Sequence, residues 1–187
     1  MKRQTPLGRL TFGSFAGLVA TGPMTGVMEL YRRCVPDQGR DPFVPRQVAE
    51  GMVRRVGFEP HVDALGEPAW WGVTAASHFG FGAAAGALYG LIEPGFRRHD
   101  PGACQKLDGH RESRHVARQV LQGSIFGLLV WATHYLALFP LVGLVKPQGD
   151  KPIRKNIGLI LSHLVWGITT GLIFDFYNRR RSATSSG

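Results

Sequence analysis

The sequence predicts an all-α membrane protein with four transmembrane helices, arranged as two tandem helical hairpins in a parallel repeat, plus a short amphipathic helix in the first loop. Three observations lead to this fold class. Charged residues are missing from four long segments, basic residues flank those segments, and the two halves share a pattern of Gly, Ser and His. The mean hydropathy of −0.04 hides the apolar segments because the charges are segregated between them.

The four charge-free segments are each about 19 to 27 residues long. At a rise of about 1.5 Å per residue, a helix of that length crosses a hydrocarbon core of about 30 Å. We therefore predict spans at about residues 10–30, 69–92, 120–145 and 156–177, within a single membrane domain of residues 1–177. Residues 178–187 are predicted to form a disordered tail. The segments lie between Arg9 and Glu29, Glu67 and Glu93, Arg118 and Lys146, and Lys155 and Asp175.

The formal charge of +9 could indicate a nucleic-acid partner, so the position of the basic residues must decide between nucleic acid and lipid. They flank the apolar segments, where Lys and Arg meet anionic lipid headgroups. We therefore expect the lipid bilayer as partner and no nucleic acid. The N-terminus, second loop and tail hold slightly more Lys and Arg than loops one and three. This bias favours an orientation with both termini in the cytoplasm.

The first loop contains apolar residues at helical spacing after Pro45, namely Val48, Met52, Val53 and Val56. Arginine and glutamate residues lie between them, so an amphipathic helix is predicted. Such a helix can lie on the bilayer surface or pack on the ends of the spans, and the sequence does not separate these alternatives.

The two halves of the chain resemble each other in the order of small and polar residues. We predict repeat one at about residues 10–93 and repeat two at about residues 120–177. Each repeat has two spans, so the second enters the membrane in the same direction as the first. We favour a duplication as the origin of this similarity. The alternative is that the two halves acquired the pattern independently, because small-residue spacing recurs in membrane helices. The matching residues are Gly13-Ser14-x-x-Gly17-Leu18 with Gly123-Ser124-x-x-Gly127-Leu128, and Ser77-His78, Gly82 and Gly86 with Ser162-His163, Gly167 and Gly171.

Glycines at four-residue spacing predict close helix contacts, because residues four apart share a helix face and glycine has no side chain. The candidate packing residues are Gly13, Gly17, Gly22, Gly26, Gly82, Gly86, Gly123, Gly127, Gly167 and Gly171.

Asp175 of the fourth predicted span lies at the opposite end, next to the arginines, and is expected to pair with them. Four other ionisable residues of the predicted spans are candidate site residues: Glu29, His78, His134 and His163. Counted along their helices, all four lie in the half of the membrane nearest loops one and three. Ionisable groups at that depth are costly and serve as proton relays or metal ligands in many membrane proteins. Alternatively, neutral histidines form structural hydrogen bonds between helices. No metal is assigned.

No nucleophile elbow, phosphate-binding loop, zinc-protease motif or dinucleotide motif occurs in the sequence, so we expect no enzyme activity and no cofactor. One family resemblance is present. The run from Ala16 to Thr25 leading to Glu29, followed by Ser77-His78-x-x-x-Gly82-x-x-x-Gly86-x-x-Tyr89, resembles the YagU-like bacterial inner-membrane proteins. The resemblance implies a link to acid tolerance and supplies no catalytic residues.

Two functions are compatible with these features. The first is a structural or stress-related component of the inner membrane that associates through its small-residue faces, as a homo-oligomer or with another membrane protein. The second is a small proton-coupled or metal-ion transporter that uses Glu29, His78, His134 and His163. They differ in whether the histidines line a cavity or a dry helix contact.

Overall fold

The computed structural model describes residues 5–34, 44–98, 110–143 and 153–184, and every regular element within these ranges is helical. Four long helices form a bundle, with shorter helices at one end. The elements are α1 (Pro6–Cys34), α2 (Val44–Arg55), α3 (Glu59–Leu65), α4 (Glu67–Arg98), α5 (His110–Ala132), a π-helical segment (Thr133–Leu138), α6 (Phe139–Leu141) and α7 (Ile153–Thr184).

Helices α1 and α4 pack so closely that their backbones touch. A Cβ atom added at Gly17 would lie 2.8 Å from the Cα atom of Gly86, and one added at Gly86 would lie 2.7 Å from the Cα atom of Gly17. The pair is antiparallel, since Gly13 also faces Gly86 while Gly17 faces Gly82. Only glycine permits this approach, so the small-residue spacing determines which faces meet.

Helices α5 and α7 form a second antiparallel pair of the same kind. A Cβ atom added at Gly167 would touch the Gly123 carbonyl oxygen and lie 2.9 Å from the Cα atom of Gly127. The two pairs join through α1 and α7, where the Trp166 indole nitrogen donates a 3.0 Å hydrogen bond to the Gly17 carbonyl oxygen. Helices α4 and α5 touch chiefly through aromatic side chains.

Three helices in the described ranges are long and apolar enough to cross a membrane: residues Glu67–Glu93, Val116–Leu141 and Asn156–Asn178. They coincide with the second, third and fourth predicted spans. The first predicted span, residues 10–30, lies within α1 but is not among the three. Its Gly, Ser, Thr and Pro residues lower the hydropathy of that helix.

The helices extend further than the predicted spans. Helix α5 begins at His110 and α7 continues to Thr184, so the tail predicted to be disordered from residue 178 is helical as far as residue 184. Residues 185–187, and residues 144 and 145 of the third predicted span, lie outside the described part of the chain. The helices extend beyond the predicted spans because charged residues limit the part of a helix that can cross a membrane but do not end the helix itself.

The third predicted span changes its winding before Pro140. Residues Thr133–Leu138 form a π-helical segment between α5 and α6. Proline has no N–H to donate to the carbonyl group four residues earlier, and its ring collides with that group in an α-helix. A wider turn accommodates the collision, and it includes His134 and Tyr135.

Helix α2 is the amphipathic helix predicted in the first loop, and it packs on the ends of the long helices. Val48 belongs to the main core with Met24 and Met28, and Val53 packs with Trp70 at the start of α4. The C-terminal ends of α2 and α6 lie close together, because a Cβ atom added at Gly143, just after α6, would lie 2.8 Å from an Arg55 guanidinium nitrogen.

Candidate functional site

The three histidines of the predicted spans line one cavity. His78 from α4, His134 from the π-helical segment and His163 from α7 surround it, and Pro45 and Val48 of α2 cover it on the loop-one side. The space open to the centre of a water molecule measures about 60 Å³. A single water needs roughly 10 to 15 Å³ by that measure, so the cavity holds more than one.

Two of these histidines are oriented by carbonyl groups of their own helices. The Nδ1 atom of His134 lies 2.7 Å from the Val130 carbonyl oxygen, and the Nδ1 atom of His163 lies 2.8 Å from the Leu159 carbonyl oxygen. A carbonyl oxygen only accepts, so both Nδ1 atoms carry the hydrogen. In the neutral ring the second nitrogen, Nε2, is therefore a hydrogen-bond acceptor.

His78 is oriented by a different contact. Its Nε2 atom lies 3.1 Å from the Thr25 hydroxyl oxygen of α1, and that hydroxyl donates to the Thr21 carbonyl oxygen at 2.7 Å. Because the single hydroxyl hydrogen of Thr25 is used there, His78 Nε2 is the donor and its Nδ1 atom is the acceptor. The bond connects α4 to α1 one turn beyond the glycine contact.

Aromatic rings surround the histidines. Edge-to-face contacts join Phe81 with His134 at 5.8 Å, His134 with Phe139 at 5.3 Å and Tyr135 with His163 at 5.6 Å between ring centroids. Such contacts fix ring orientation and leave the cavity wall largely apolar. The sequence did not predict Tyr135 or Phe139 at this site, because aromatic residues occur on every face of the spans.

A layer of buried rings separates the cavity from the loop-two ends of the helices. Tyr89 packs against Phe126 at 5.1 Å and against Phe174 at 5.8 Å, and Phe126 packs against Trp166 at 5.9 Å. All four rings are almost completely buried. The cavity therefore ends within the bundle, about halfway along the helices.

Glu29, the fourth ionisable candidate, is not at the cavity. Its carboxylate pairs with Arg32 at 2.7 Å and with Arg33 at 2.7 Å near the end of α1. Residues three and four positions apart share a helix face, so these arginines bind the carboxylate locally. The structure thus separates Glu29 from the histidines with which the sequence grouped it.

Eight of the ten candidate packing glycines lie at helix contacts, and Gly22 and Gly26 do not. A Cβ atom added at either of these two would meet nothing within 4 Å. Gly22 is five residues after Gly17, which is about 140° further round the helix, so it faces away from α4. This glycine pair therefore makes no close helix contact within the described part of the chain. The eight in contact are Gly13, Gly17, Gly82, Gly86, Gly123, Gly127, Gly167 and Gly171.

An arginine holds α2 over the cavity. The Arg46 guanidinium lies 4.8 Å from the Trp70 ring centroid and pairs with Glu50 at 2.6 Å and with Glu67 at 3.1 Å. Burial alone would lower the pKa of Arg46, but the hydrogen bonds with the two glutamates outweigh it and raise that pKa above its ordinary value. The arginine side chain thus connects α2 to the first turn of α4 as a permanent cation.

The histidines do not form a metal site with other ligands. Across residues 5–34, 44–98, 110–143 and 153–184, no three His, Cys, Asp or Glu side chains are placed to hold one ion. Comparison with protein-family models, with curated proteins and with solved structures finds no match to this chain.

Proposed function

We propose that the chain is a multi-pass protein of the bacterial inner membrane with four spanning helices and cytoplasmic termini. The observation that carries the membrane assignment is that large apolar side chains are exposed along all four long helices. Soluble proteins rarely expose apolar surface on this scale. The residues are Phe15, Leu18 and Val19 of α1, Leu88 and Leu91 of α4, Leu121, Ile125 and Leu129 of α5, and Leu161, Leu172 and Phe176 of α7.

The position of α1 supports its inclusion as a fourth span. Its small and polar residues, such as Gly13, Gly17 and Thr21, are buried against α4 and α7, while Phe15 and Leu18 are exposed. Polar groups that are satisfied within the bundle cost little in a bilayer. The Thr21 hydroxyl, for example, donates to the Gly17 carbonyl oxygen at 2.9 Å.

The position of α1 is tested by labelling cysteines with a membrane-impermeant maleimide from each side of the membrane. Cys34 at the end of α1 is exposed, and a Thr5→Cys variant marks its beginning. The Thr5→Cys variant is made with Cys34 and Cys104 changed to Ser. With four spans, Cys34 and the cysteine at position 5 label from opposite sides. Labelling of both from the same side would leave three spans and contradict the proposal.

For the biochemical role, we propose a structural or stress-related membrane component without enzyme activity, linked to acid tolerance. The support is that His134 and His163 bond to carbonyls of their own helices and His78 bonds to Thr25, as structural polar contacts do. The glycines at the two helix contacts are already covered within the chain. Association with a second copy or another membrane protein would therefore use other surfaces, such as the open face at Gly22 and Gly26.

The role of the histidines is tested by comparing His163→Gln with His163→Leu. An amide can still donate a hydrogen bond to the Leu159 carbonyl oxygen, whereas Leu cannot. We expect His163→Leu to lower the free energy of unfolding by roughly 0.6 to 2 kcal/mol and His163→Gln to lower it less. Host cells with the Gln variant should survive acid as the wild type does. A stable Gln variant that fails in acid survival would contradict the structural role.

The second candidate is a small proton-coupled or metal-ion transporter, which the convergence of three histidines on one cavity favours. The buried ring layer below the cavity and the separation of Glu29 weigh against it. Reconstituted liposomes with a pH gradient test the candidate directly. Flux that requires His78, His134 and His163 would establish transport, and a gradient that decays as in empty liposomes would rule out proton flux.

A further inference from the structure

The cavity lining is more exposed on α4 and on Val130 and His134, which lie in α5 and the π-helical segment, than on α1 and α7. Its lining from α1 and α7, which includes Thr21, His163 and Trp166, is buried, whereas His78 and His134 on the other two elements are half-buried. Access to the three histidines is therefore lateral, between α4 and the segment that runs from α5 to α6.

This opening faces lipid if the bundle lies in a membrane, as proposed above. Helix α4 and the α5 to α6 segment both belong to the helices long and apolar enough to span. Leu129, next to the cavity-lining Val130, is exposed on the outside of α5. A molecule that enters between these helices arrives from the hydrocarbon core, so it must be soluble in lipid.

The cavity presents hydrogen-bond acceptors, and three of its donors are already used. The Trp166 N–H donates to the Gly17 carbonyl oxygen, and so does the Thr21 hydroxyl. The Ser77 hydroxyl donates to the Thr74 carbonyl oxygen at 3.1 Å. By contrast, neutral His134 and His163 each retain an acceptor nitrogen. A ligand that donates a hydrogen bond therefore matches the two free acceptor nitrogens.

The geometry points to a binding site for a lipid-soluble alcohol or phenol. Its hydroxyl group donates to the Nε2 atom of His134 or His163, and its apolar body lies against Phe81 and Phe139 and extends between α4 and the segment that runs from α5 to α6. The largely apolar wall and the aromatic rings suit a ring compound. This inference rests on the membrane placement and not on the proposed acid-tolerance role.

Competitive photolabelling of the full chain in lipid nanodiscs tests the site. The label is 4-pentylphenol with a diazirine group in its alkyl chain, and the competitors are 4-pentylphenol and 4-pentylanisole. The two competitors differ in one respect, because the methyl ether has no O–H to donate. We expect saturable labelling of residues 130–139 or 159–166. The phenol should compete at a concentration about fivefold lower than the ether, which corresponds to one hydrogen bond.

Two neighbouring alanines of α4 provide a matched pair of variants. Ala85 lines the cavity and Ala84 is exposed outside it, so Ala85→Leu should abolish the saturable labelling while Ala84→Leu leaves it unchanged. The double variant His134→Leu with His163→Leu should remove the preference for phenol over ether.

Three results would overturn the inference. Non-saturable labelling would mean that the cavity holds water only. Equal competition by phenol and ether would mean that the histidine acceptors take no part, and this comparison needs no variant. Labelling of Ala85→Leu at the wild-type level would place the ligand elsewhere. A four-span labelling pattern of the cysteines combined with any of these results would leave the membrane assignment intact.

Discussion

Replacing single glycines of α4 with alanine should have opposite effects at two positions one and a half turns apart. Gly86 lies at the contact with α1, and Gly80 is exposed in open space. The added group is the same single methyl in both variants, and both sites are helical. We expect Gly86→Ala to destabilise the protein and Gly80→Ala to leave it unchanged or slightly more stable.

The magnitude follows from what each methyl meets. At Gly86 it would touch the Gly13 carbonyl oxygen and lie 2.7 and 2.8 Å from the Cα and N atoms of Gly17. All of these are backbone atoms, so no side chain can rotate away and α1 itself must move. Overpacking of this kind costs about 1 to 3 kcal/mol. The higher helix propensity of alanine offsets up to about 1 kcal/mol.

At Gly80 nothing lies within 4 Å, so only the propensity gain remains. The difference in unfolding free energy between the two variants should therefore be about 1 to 3 kcal/mol, since the propensity change cancels in the comparison. Reversible unfolding in mixed detergent micelles measures it. Gly167→Ala should repeat the result in the second helix pair, where the added methyl would lie 2.9 Å from the Gly127 Cα atom. Equal stability of Gly86→Ala and Gly80→Ala would refute the backbone-contact reasoning.

Two further predictions concern contacts between helices. Trp166→Phe should lower the unfolding free energy by about 0.5 to 1.5 kcal/mol, because it removes the indole hydrogen bond to the Gly17 carbonyl oxygen. Unfolding in mixed micelles measures this loss of stability. Arg46→Gln should speed amide hydrogen exchange in α2 more than Arg54→Gln does. Arg46 connects α2 to α4, whereas Arg54 is exposed and pairs only with nearby Glu59. Equal exchange in the two variants would contradict this prediction.

The sequence predicted the positions of the long helices well and their ends poorly. A charge is costly inside a bilayer, so charge-free segments identify the membrane-crossing part of a helix. Nothing equivalent marks where the helix itself stops, and α7 continues through Arg180 to Thr184. The π-helical segment before Pro140 was not predicted, because the local response to a proline depends on packing.

Among the candidate site residues, the depth argument grouped Glu29 with the three histidines, and only the histidines line the cavity. Depth along a helix can be counted from the sequence, and His78, His134 and His163 do reach one cavity. Which neighbouring helix a residue faces depends on how the helices are arranged in the bundle, and this arrangement cannot be read from the sequence. Arg32 and Arg33 follow Glu29 three and four positions later, and these local ion pairs hold its carboxylate at the end of α1.

The glycine contacts also show how two similar hairpins can differ in detail. Aligned by sequence, Gly123 corresponds to Gly13 and Gly167 corresponds to Gly82. In the structure Gly123 meets Gly167, whereas Gly13 meets Gly86, four residues beyond Gly82. The two helix pairs are therefore one turn out of register with each other. Any symmetry expected from the predicted repeat is broken at this step.

The shift explains why the two histidines of the matching Ser-His pairs have different surroundings. The carbonyl group of His163 meets Gly127 directly, so this histidine lies at the closest point of its helix pair and is 5% exposed. In the first pair the corresponding place is taken by Gly82, and His78 lies one turn further on, where it is half-buried and reaches Thr25. Because the two helix pairs differ in register by one turn, the two matching histidines contribute differently to the same cavity: His163 is buried in its lining and His78 is partly exposed. A chain with strict two-fold symmetry would have given two equivalent histidines and no such division.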